Sequence, residues 1–300
     1  MRDRFKIIVN PVSGRGKALR LAEAVTDLLR KQGCTVDLLP TQKAGDARLF
    51  ARDCGGYGAL AATGGDGTVN EVLNGLPPAG GPPLAMLPSG TANVLAKELR
   101  LPRDPEGLAR VLREGSEKIL DLGVEHVSGR RFLLFASAGY DAHVVHLFHA
   151  ARTGPIGMWQ YVYWGLKSIL AYQVPSIAVE IDGKLLTSDA SWVQISNVPS
   201  YGGPLVFTPA ARPDNQTFEV MVHHSRRRRG VVGMFWAALI RYFTGFKYRQ
   251  EAVSFHQATR VKLTSADGRP VPVQVDGDPS GQLPGDFEIV PGGIRVLGPK

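Results

Sequence analysis

The first 124 residues alternate short apolar runs with amphipathic stretches. Buried strands are predicted by apolar runs at 6–10, 35–39, 59–62 and 82–87. Between them, Leu and Val recur at helical spacing over 18–32, and the stretch 46–54 also predicts a helix. Strands that alternate with helices predict an α/β domain with a parallel sheet, which binds its ligand at the carboxyl ends of the strands.

Beyond about residue 124 the apolar positions follow a different pattern, which predicts a mostly antiparallel β domain over 125–286. Asp182-Gly183 marks a two-residue hairpin turn, and Asp267-Gly268 marks a second turn. The stretch 157–172 is apolar on almost every face and predicts an inserted helix, either a core helix or part of a lipid-binding face. Strands are predicted at 132–136, 176–186, 192–196, 218–223, 260–264, 271–275, 287–290 and 294–297.

The composition indicates the class of protein and its net charge. The 300 residues are 44% hydrophobic and 21% charged, which is typical of a globular protein. Two cysteines provide no disulfide framework, no apolar segment is long enough to cross a bilayer, and the start has no secretory pattern, so we expect a cytoplasmic protein. A net charge of +8 favours anionic partners, which include nucleotides, nucleic acid and anionic membranes.

A glycine-rich turn follows the third predicted strand, at Gly64-Gly65-Asp66-Gly67-Thr68. Glycines let backbone N–H groups approach a ligand closely, and the following helix presents the positive end of its dipole. The turn therefore suits a phosphate. A carboxylate here would repel a phosphate unless Asp66 holds a divalent cation or accepts a proton. The alternative is an ordinary glycine-rich connection between strand and helix.

Two further loops follow predicted strands. Asn10-Pro11-Val12-Ser13-Gly14 fits neither a Walker A loop nor a dinucleotide fingerprint. Ser89-Gly90-Thr91-Ala92-Asn93 offers a hydroxyl and an amide at another junction between loop and helix. Thr41 lies just past the end of the second strand, where it could contact a nucleotide.

These three motifs resemble the catalytic domain shared by diacylglycerol, sphingosine and ceramide kinases, and above all the small bacterial lipid kinases. The Gly-Gly-Asp-Gly-Thr core is also similar to that of NAD kinases. Val94 stands where many relatives carry an aspartate, and Asp121 matches another acidic family position. The resemblance implies an α/β domain over 1–124, a mostly antiparallel β-sandwich over 125–286, and a final strand near 287–300 that returns to the first domain.

The resemblance also implies ATP and Mg²⁺ as cofactors. The implied catalytic residues are Asp66 and Asp278. Asp276-Gly277-Asp278 resembles the family's Asp-Gly-Glu motif, whose glutamate accepts a proton. The alternative, a plain hairpin turn, is disfavoured because Pro279-Ser280-Gly281 follows. The implied nucleotide-binding residues are Asn10, Ser13, Gly14, Thr41, Gly64, Gly65, Asp66, Gly67, Thr68, Glu71, Thr91 and Asn93.

The segment 213–220 resembles a family segment that holds a structural magnesium ion in some bacterial members. By position the ligands here would be Arg212, Asn215 and Thr217. Asn215 and Gln216 replace the family's second aspartate and its glycine. A neutral amide binds a hard cation less well than a carboxylate does, so an empty site is an alternative.

Most of the net positive charge lies between residues 212 and 249. Between 212 and 249 stand eight basic residues and two acidic ones, with four consecutive arginines at 226–229 beside the aromatic, apolar stretch 231–243. This arrangement predicts docking on an anionic membrane surface. A solvated loop before a core helix is the alternative, and nucleic acid is not an expected partner because no RNA-binding motif is present.

We therefore expect an ATP-dependent lipid kinase that acts on a lipid hydroxyl, such as that of diacylglycerol or a sphingoid base, while peripherally associated with the membrane. The alternatives are an enzyme similar to NAD kinase and a catalytically weak sensor of lipid or nucleotide.

Overall fold

The chain divides into two compact units. Unit 1 comprises Met1–Asp121 and Pro291–Lys300, and unit 2 comprises Leu122–Val290. The computed structural model describes residues 2–78, 81–151, 163–165, 167, 168, 172–202, 205–225, 227, 230, 231, 233 and 252–300. Of the helices within those ranges, none is both long and apolar enough to cross a membrane.

Unit 1 alternates strands and helices. Its strands are β1 (Arg4–Val9), β2 (Thr35–Pro40), β3 (Ala59–Gly64), β4 (Leu84–Pro88) and most of β5 (Ser116–Glu125). Its helices are α1 (Lys17–Lys31), α2 (Asp46–Arg52), α3 (Asp66–Gly75), α4 (Val94–Glu98) and α5 (Pro105–Glu114), and a 3₁₀ turn spans Ser13–Gly16.

Unit 2 is rich in strands. Those that precede the basic region are β6 (Arg130–Phe132), β7 (Phe135–Ala138), β8 (Ile177–Ile181), β9 (Lys184–Ala190), β10 (Trp192–Ser196), β11 (Ser200–Tyr201), β12 (Leu205–Val206) and β13 (Phe218–His223). Helix α6 (Tyr140–Ala150) follows β7. The later strands are β14 (Val253–Ala258), β15 (Arg260–Ser265), β16 (Pro272–Val275), β17 (Asp278–Gln282) and β18 (Gly285–Gly298).

The sheet of unit 1 has the order β2-β1-β3-β4 and continues with the C-terminal part of β18, and each of these pairs is parallel. One face buries alternate residues of β1 against α1, for example Phe5 and Ile7 against Ala22 and Val25. The other face of β1 is buried as well, since Ile8 is fully buried, as expected of a central strand in a parallel sheet. Val9 is paired with Thr63 and Gly64 with Pro88, so the carboxyl ends of β1, β3 and β4 lie in register.

Unit 2 is a β-sandwich. One sheet contains β15 between β8 and the N-terminal part of β18, all antiparallel, and the other has the order β14-β13-β10-β7-β16-β17. Their facing sides form one apolar core. At its centre Phe132 stacks on Phe218 at 5.6 Å and meets Phe287 edge-on at 6.4 Å. Aromatic pairs of this kind add to the stabilisation from burial. The predicted fold class is confirmed.

Several local predictions were wrong. The single strand predicted over 132–136 is two strands, β6 and β7, and the two strands predicted at 287–290 and 294–297 are one continuous strand, β18. Helix α6 was not predicted. The helix predicted over 157–172 lies largely outside the described residues. Within that range, residues 163–165, 167 and 168 are described as helical. Most of the stretch 231–243 also lies outside them.

Candidate active site

Three loops meet at the carboxyl edge of the sheet in unit 1. They are the first loop (10–16), the second loop (64–67) and the third loop (89–93). The backbone N–H groups of Ser89 and Gly90 both donate to the carbonyl of Gly64, at 3.0 and 3.2 Å. Asn10 N donates to the carbonyl of Thr63 at 3.0 Å. The three motifs predicted to bind nucleotide are therefore brought together by backbone hydrogen bonds.

Close contacts between these loops explain two of their glycines. A Cβ atom on Gly90 would lie 2.4 Å from Gly65 Cα, and one on Gly14 would lie 2.2 Å from the carbonyl oxygen of Ser89. Gly14 also has φ +59°, which only glycine adopts readily. Gly67 differs, because a Cβ there would meet nothing within 4 Å. Close packing of the loops thus requires glycine at 14 and 90.

Asp66 connects the second loop to the third. It lies in the first turn of α3, and its Oδ1 accepts a hydrogen bond from Val94 N, the first residue of α4, at 2.9 Å. Asn93 folds the third loop on itself, since its side chain accepts from Gly90 N at 2.9 Å and donates to Gly90 O at 2.8 Å. Thr91 beside it is exposed. Asp66 thus has one oxygen committed to holding the loops together.

Glu71 holds the segment that follows β2. Its Oε2 accepts from Gly45 N at 3.1 Å, and Thr41 N donates to the carbonyl of Val9 at 2.8 Å. The N–H groups of Gln42 and Lys43 donate to Asp46, and these bonds hold the pKa of its carboxyl below the usual value. The segment that carries Thr41 is therefore fixed to the same edge of the sheet. Ser13 is half-buried there, and Thr68 is buried.

Asp278, the predicted proton acceptor, begins strand β17 in unit 2. It pairs with Val275 across a two-residue turn in which Asp276 and Gly277 have φ +49° and +85°. The expectation that no strand resumes after Gly277 was wrong. Proline is tolerated at position 279 because β17 is an edge strand, where a missing N–H leaves no partner unsatisfied.

Two cationic or potentially cationic side chains flank the Asp278 carboxylate. Arg130 Nη2 lies 3.3 Å from Oδ2, and His149 Nε2 lies 3.6 Å from Oδ1. Arg130 also donates through Nη1 to the carbonyl of Pro279 at 2.9 Å. The Asp278 side chain is 36% exposed. Its carboxylate is therefore held by two side chains and remains partly exposed.

The neighbouring Asp276 has a different task. Its buried carboxylate accepts hydrogen bonds from three consecutive backbone N–H groups, those of Leu133, Leu134 and Phe135, at 2.9 to 3.1 Å. These bonds form the bend that separates β6 from β7. Asp276 is therefore a structural residue, and its burial makes it a poorer candidate base than Asp278.

A buried carboxylate at the start of α6, that of Asp141, was not predicted from the sequence. Asp141 accepts from Ser137 Oγ at 2.5 Å, from Ala142 N at 2.8 Å, and from Tyr201 and Gln274 at 3.3 Å each. Burial raises the pKa of Asp141 to about 6, against these hydrogen bonds. The available signal was a single carboxylate among the mostly apolar residues of 138–148, because a buried carboxylate needs polar partners.

The remaining predicted positions divide into two groups. Arg212, Asn215 and Thr217 lie close together in the loop before β13. Within the described ranges, no cluster of three His, Cys, Asp or Glu side chains could hold a metal ion. Of the four arginines at 226–229, only Arg227 is described, and it is exposed, whereas the other three lie outside the described residues.

An α/β unit in which three glycine-containing loops meet at the carboxyl edge of the sheet, followed by a β-sandwich, defines a class of two-unit proteins. Comparison with known proteins is more particular. The diacylglycerol kinase catalytic domain matches residues 4–124, and the YegS C-terminal NAD kinase beta sandwich-like domain matches 135–298.

Relatives of the whole chain carry the same name. A diacylglycerol kinase of Staphylococcus carnosus (strain TM300) is 28% identical over 100% of this chain and 96% of its own length. One of Bacillus subtilis (strain 168) is 27% identical over 99% of this chain and 97% of its own length. The crystal structure of a diacylglycerol kinase from Bacillus anthracis str. Sterne is similar in fold, with a TM-score of 0.73, 20% identity and coverage of 99% and 97%. The chain belongs to the diacylglycerol kinase family of lipid kinases.

Proposed function

We propose that this chain transfers the γ-phosphoryl group of ATP to the hydroxyl group of a lipid, with diacylglycerol or a sphingoid base as the class of acceptor. The observation that carries the proposal is the meeting of three loops at the carboxyl edge of the sheet in unit 1. Backbone N–H groups of glycine-rich loops and the N-terminus of α3 suit the phosphates of a nucleotide. The names of the whole-chain relatives support the lipid acceptor.

In this proposal unit 1 binds the donor. The nucleotide is surrounded by the second loop and by eight further residues, which are Asn10, Ser13, Gly14, Thr41, Thr68, Glu71, Thr91 and Asn93. Asp66, whose Oδ1 accepts from Val94 N, is the residue that would hold Mg²⁺, directly or through water. A cation held there would neutralise charge on the transferred phosphoryl group.

Unit 2 binds the acceptor in this proposal. A lipid hydroxyl is a poor nucleophile, and Asp278 accepts its proton as the phosphoryl group is transferred. Arg130 and His149 orient the carboxylate, so little rearrangement is needed when the hydroxyl arrives. Aspartate is one methylene shorter than the family's glutamate, and the tight Asp276-Gly277 turn determines where its carboxylate lies.

The direct test is transfer of radiolabel from γ-labelled ATP to a panel of acceptors that contains diacylglycerol, a sphingoid base, a phospholipid and NAD. We expect label in diacylglycerol or the sphingoid base and none in NAD. Label in NAD alone would assign the chain to the NAD kinase activity. Nucleotide binding without transfer to any acceptor would favour a sensor.

Access to a lipid implies contact with a membrane surface, and we propose that Arg226, Arg227, Arg228 and Arg229 dock the protein on anionic lipid. Each basic residue near such a surface contributes about 1 kcal/mol, so four strengthen binding by roughly several hundred-fold in a salt-sensitive way. Co-sedimentation with phosphatidylserine vesicles should be lost when all four become Ala. The matched control replaces the exposed Arg20, Lys31, Arg48 and Arg110, which removes the same charge elsewhere. Equal loss in both variants would refute a specific surface.

A further inference from the structure

The loop before β13 is closed by one side chain. With its carboxamide nitrogen directed inward, Asn215 donates to the carbonyl oxygens of Arg212 and Thr217 at 2.8 and 3.0 Å. In the same orientation its oxygen accepts from Thr217 Oγ1 at 3.3 Å. Both N–H groups of the amide and its oxygen therefore have partners within one segment of six residues.

The opposite orientation of the carboxamide is unfavourable. It would place the Asn215 oxygen 2.8 and 3.0 Å from two other oxygen atoms that carry no proton. The only compensation among the contacts of the loop is a 3.3 Å hydrogen bond from Thr217 N. The oxygen and nitrogen of an amide are assigned from such hydrogen bonds, and here two donated bonds outweigh one long accepted bond.

A cation is the other way to bring three oxygens together. Neighbouring ligands of an octahedral Mg²⁺ ion lie about 3 Å apart, since each lies about 2.1 Å from the metal. The separations at Asn215 would allow that geometry, but all three oxygens would be neutral. Mg²⁺ releases its water reluctantly and is held in proteins chiefly by carboxylates. The donor set of this loop therefore does not fit a resident cation.

We propose that the Asn215 carboxamide takes the place of a cation in this loop by hydrogen bonding to its carbonyl groups. The protein then needs no metal ion at Arg212, Asn215 and Thr217. Two N–H groups satisfy the two carbonyls that a cation would otherwise bridge. Gln216 keeps the backbone in a left-handed conformation with φ +63°, so the loop retains its tight shape without glycine. The anchoring of β13 is then insensitive to chelators and to the concentration of Mg²⁺. This inference goes beyond the proposed kinase activity and does not depend on it.

The test is thermal unfolding of the full-length protein without nucleotide or lipid, in EDTA and in millimolar Mg²⁺. We expect wild-type protein to have the same Tm in both. Asn215→Asp places a carboxylate opposite two carbonyls, so its Tm should fall by several degrees in EDTA and recover in Mg²⁺. Asn215→Ala is the matched control: it loses the same hydrogen bonds, and its lower Tm should not respond to Mg²⁺.

Two results would overturn the inference. One is a wild-type Tm that falls in EDTA and is restored by Mg²⁺ while the Tm of Asn215→Ala does not respond, which would show a resident cation in this loop. The other is an Asn215→Asp variant that folds but gains no response to Mg²⁺, which would show that the position is not equivalent to a cation site. Should Asn215→Asp not fold in EDTA, refolding in Mg²⁺ is the same measurement. Calorimetric titration with Mg²⁺ decides independently, because wild-type protein and Asn215→Ala are expected to give the same heat of binding.

Discussion

Asp66 in unit 1 and Asp278 in unit 2 are the two carboxylates assigned to catalysis, and they are held in different ways. Asp66 binds a backbone N–H of another loop, so it is part of the loop architecture. Asp278 contacts the side chains of Arg130 and His149, and the backbone around it is secured by a hairpin turn and by Asp276. Removal of the Asp66 side chain should therefore disturb structure and activity together, whereas loss of the Asp278 carboxylate should affect activity alone.

The largest effect is expected for Gly90→Ala. The new Cβ would lie 2.4 Å from Gly65 Cα, so backbone must move and the second and third loops must separate. We expect kcat/KM for ATP to fall by roughly 10²-fold or more, because a displacement of about 1 Å in a phosphate site has that cost. Gly67→Ala is the control, since its Cβ meets nothing within 4 Å, and it should keep the native Tm. Equal ATP affinity in Gly90→Ala and wild type would contradict the close-packed loops.

A smaller effect is expected for Asp66→Asn. The asparagine oxygen can still accept from Val94 N, so the loops stay joined, but the negative charge near the metal is lost. We expect kcat to fall by about 10²-fold with little change in Tm. Asp66→Ala removes the loop contact as well and should also lower Tm. Steady-state kinetics over a range of Mg²⁺ concentrations is the measurement, and an unchanged kcat in Asp66→Asn would refute the role.

The smallest effect is on stability and concerns Asp141. Its folded pKa of about 6 exceeds the ordinary 3.8, so the folded protein binds the proton more tightly than the unfolded chain does. Asp141 therefore does not lower the free energy of unfolding below about pH 4, and its destabilising effect grows as the pH rises towards 6. Over this pH range the free energy of unfolding falls by about 3 kcal/mol. Relative to wild type, Asp141→Asn should gain stability between pH 4 and pH 7 in denaturant titrations. If the free energies of unfolding of the two proteins changed with pH in the same way, Asp141 would ionise normally.

The sequence predicted the fold class because hydrophobic periodicity is local. It also predicted the three loops, since each motif stands directly after its strand. The reasons for Gly14 and Gly90 could not be predicted, because they depend on Ser89 and Gly65, which approach only when the strands are in register.

The errors have the same cause. The bend between β6 and β7 is made by Asp276, which is more than 140 residues away in sequence. Pro279 argued against a strand at Asp278, and only the position of β17 at the edge of its sheet makes that proline acceptable. Burial and partners chosen by tertiary structure, rather than local pattern, determined these features.

The most direct test of the division of labour between the units is the kinetics of Asp278→Asn beside those of Asp276→Asn. For Asp278→Asn we expect kcat to fall by about 10²-fold, with KM for ATP and Tm unchanged, because the group acts on the acceptor hydroxyl. Asp276→Asn should instead lose about 1 to 3 kcal/mol of stability, because one oxygen cannot serve three N–H groups. Full turnover in Asp278→Asn would contradict the account and leave Asp278 as a turn residue.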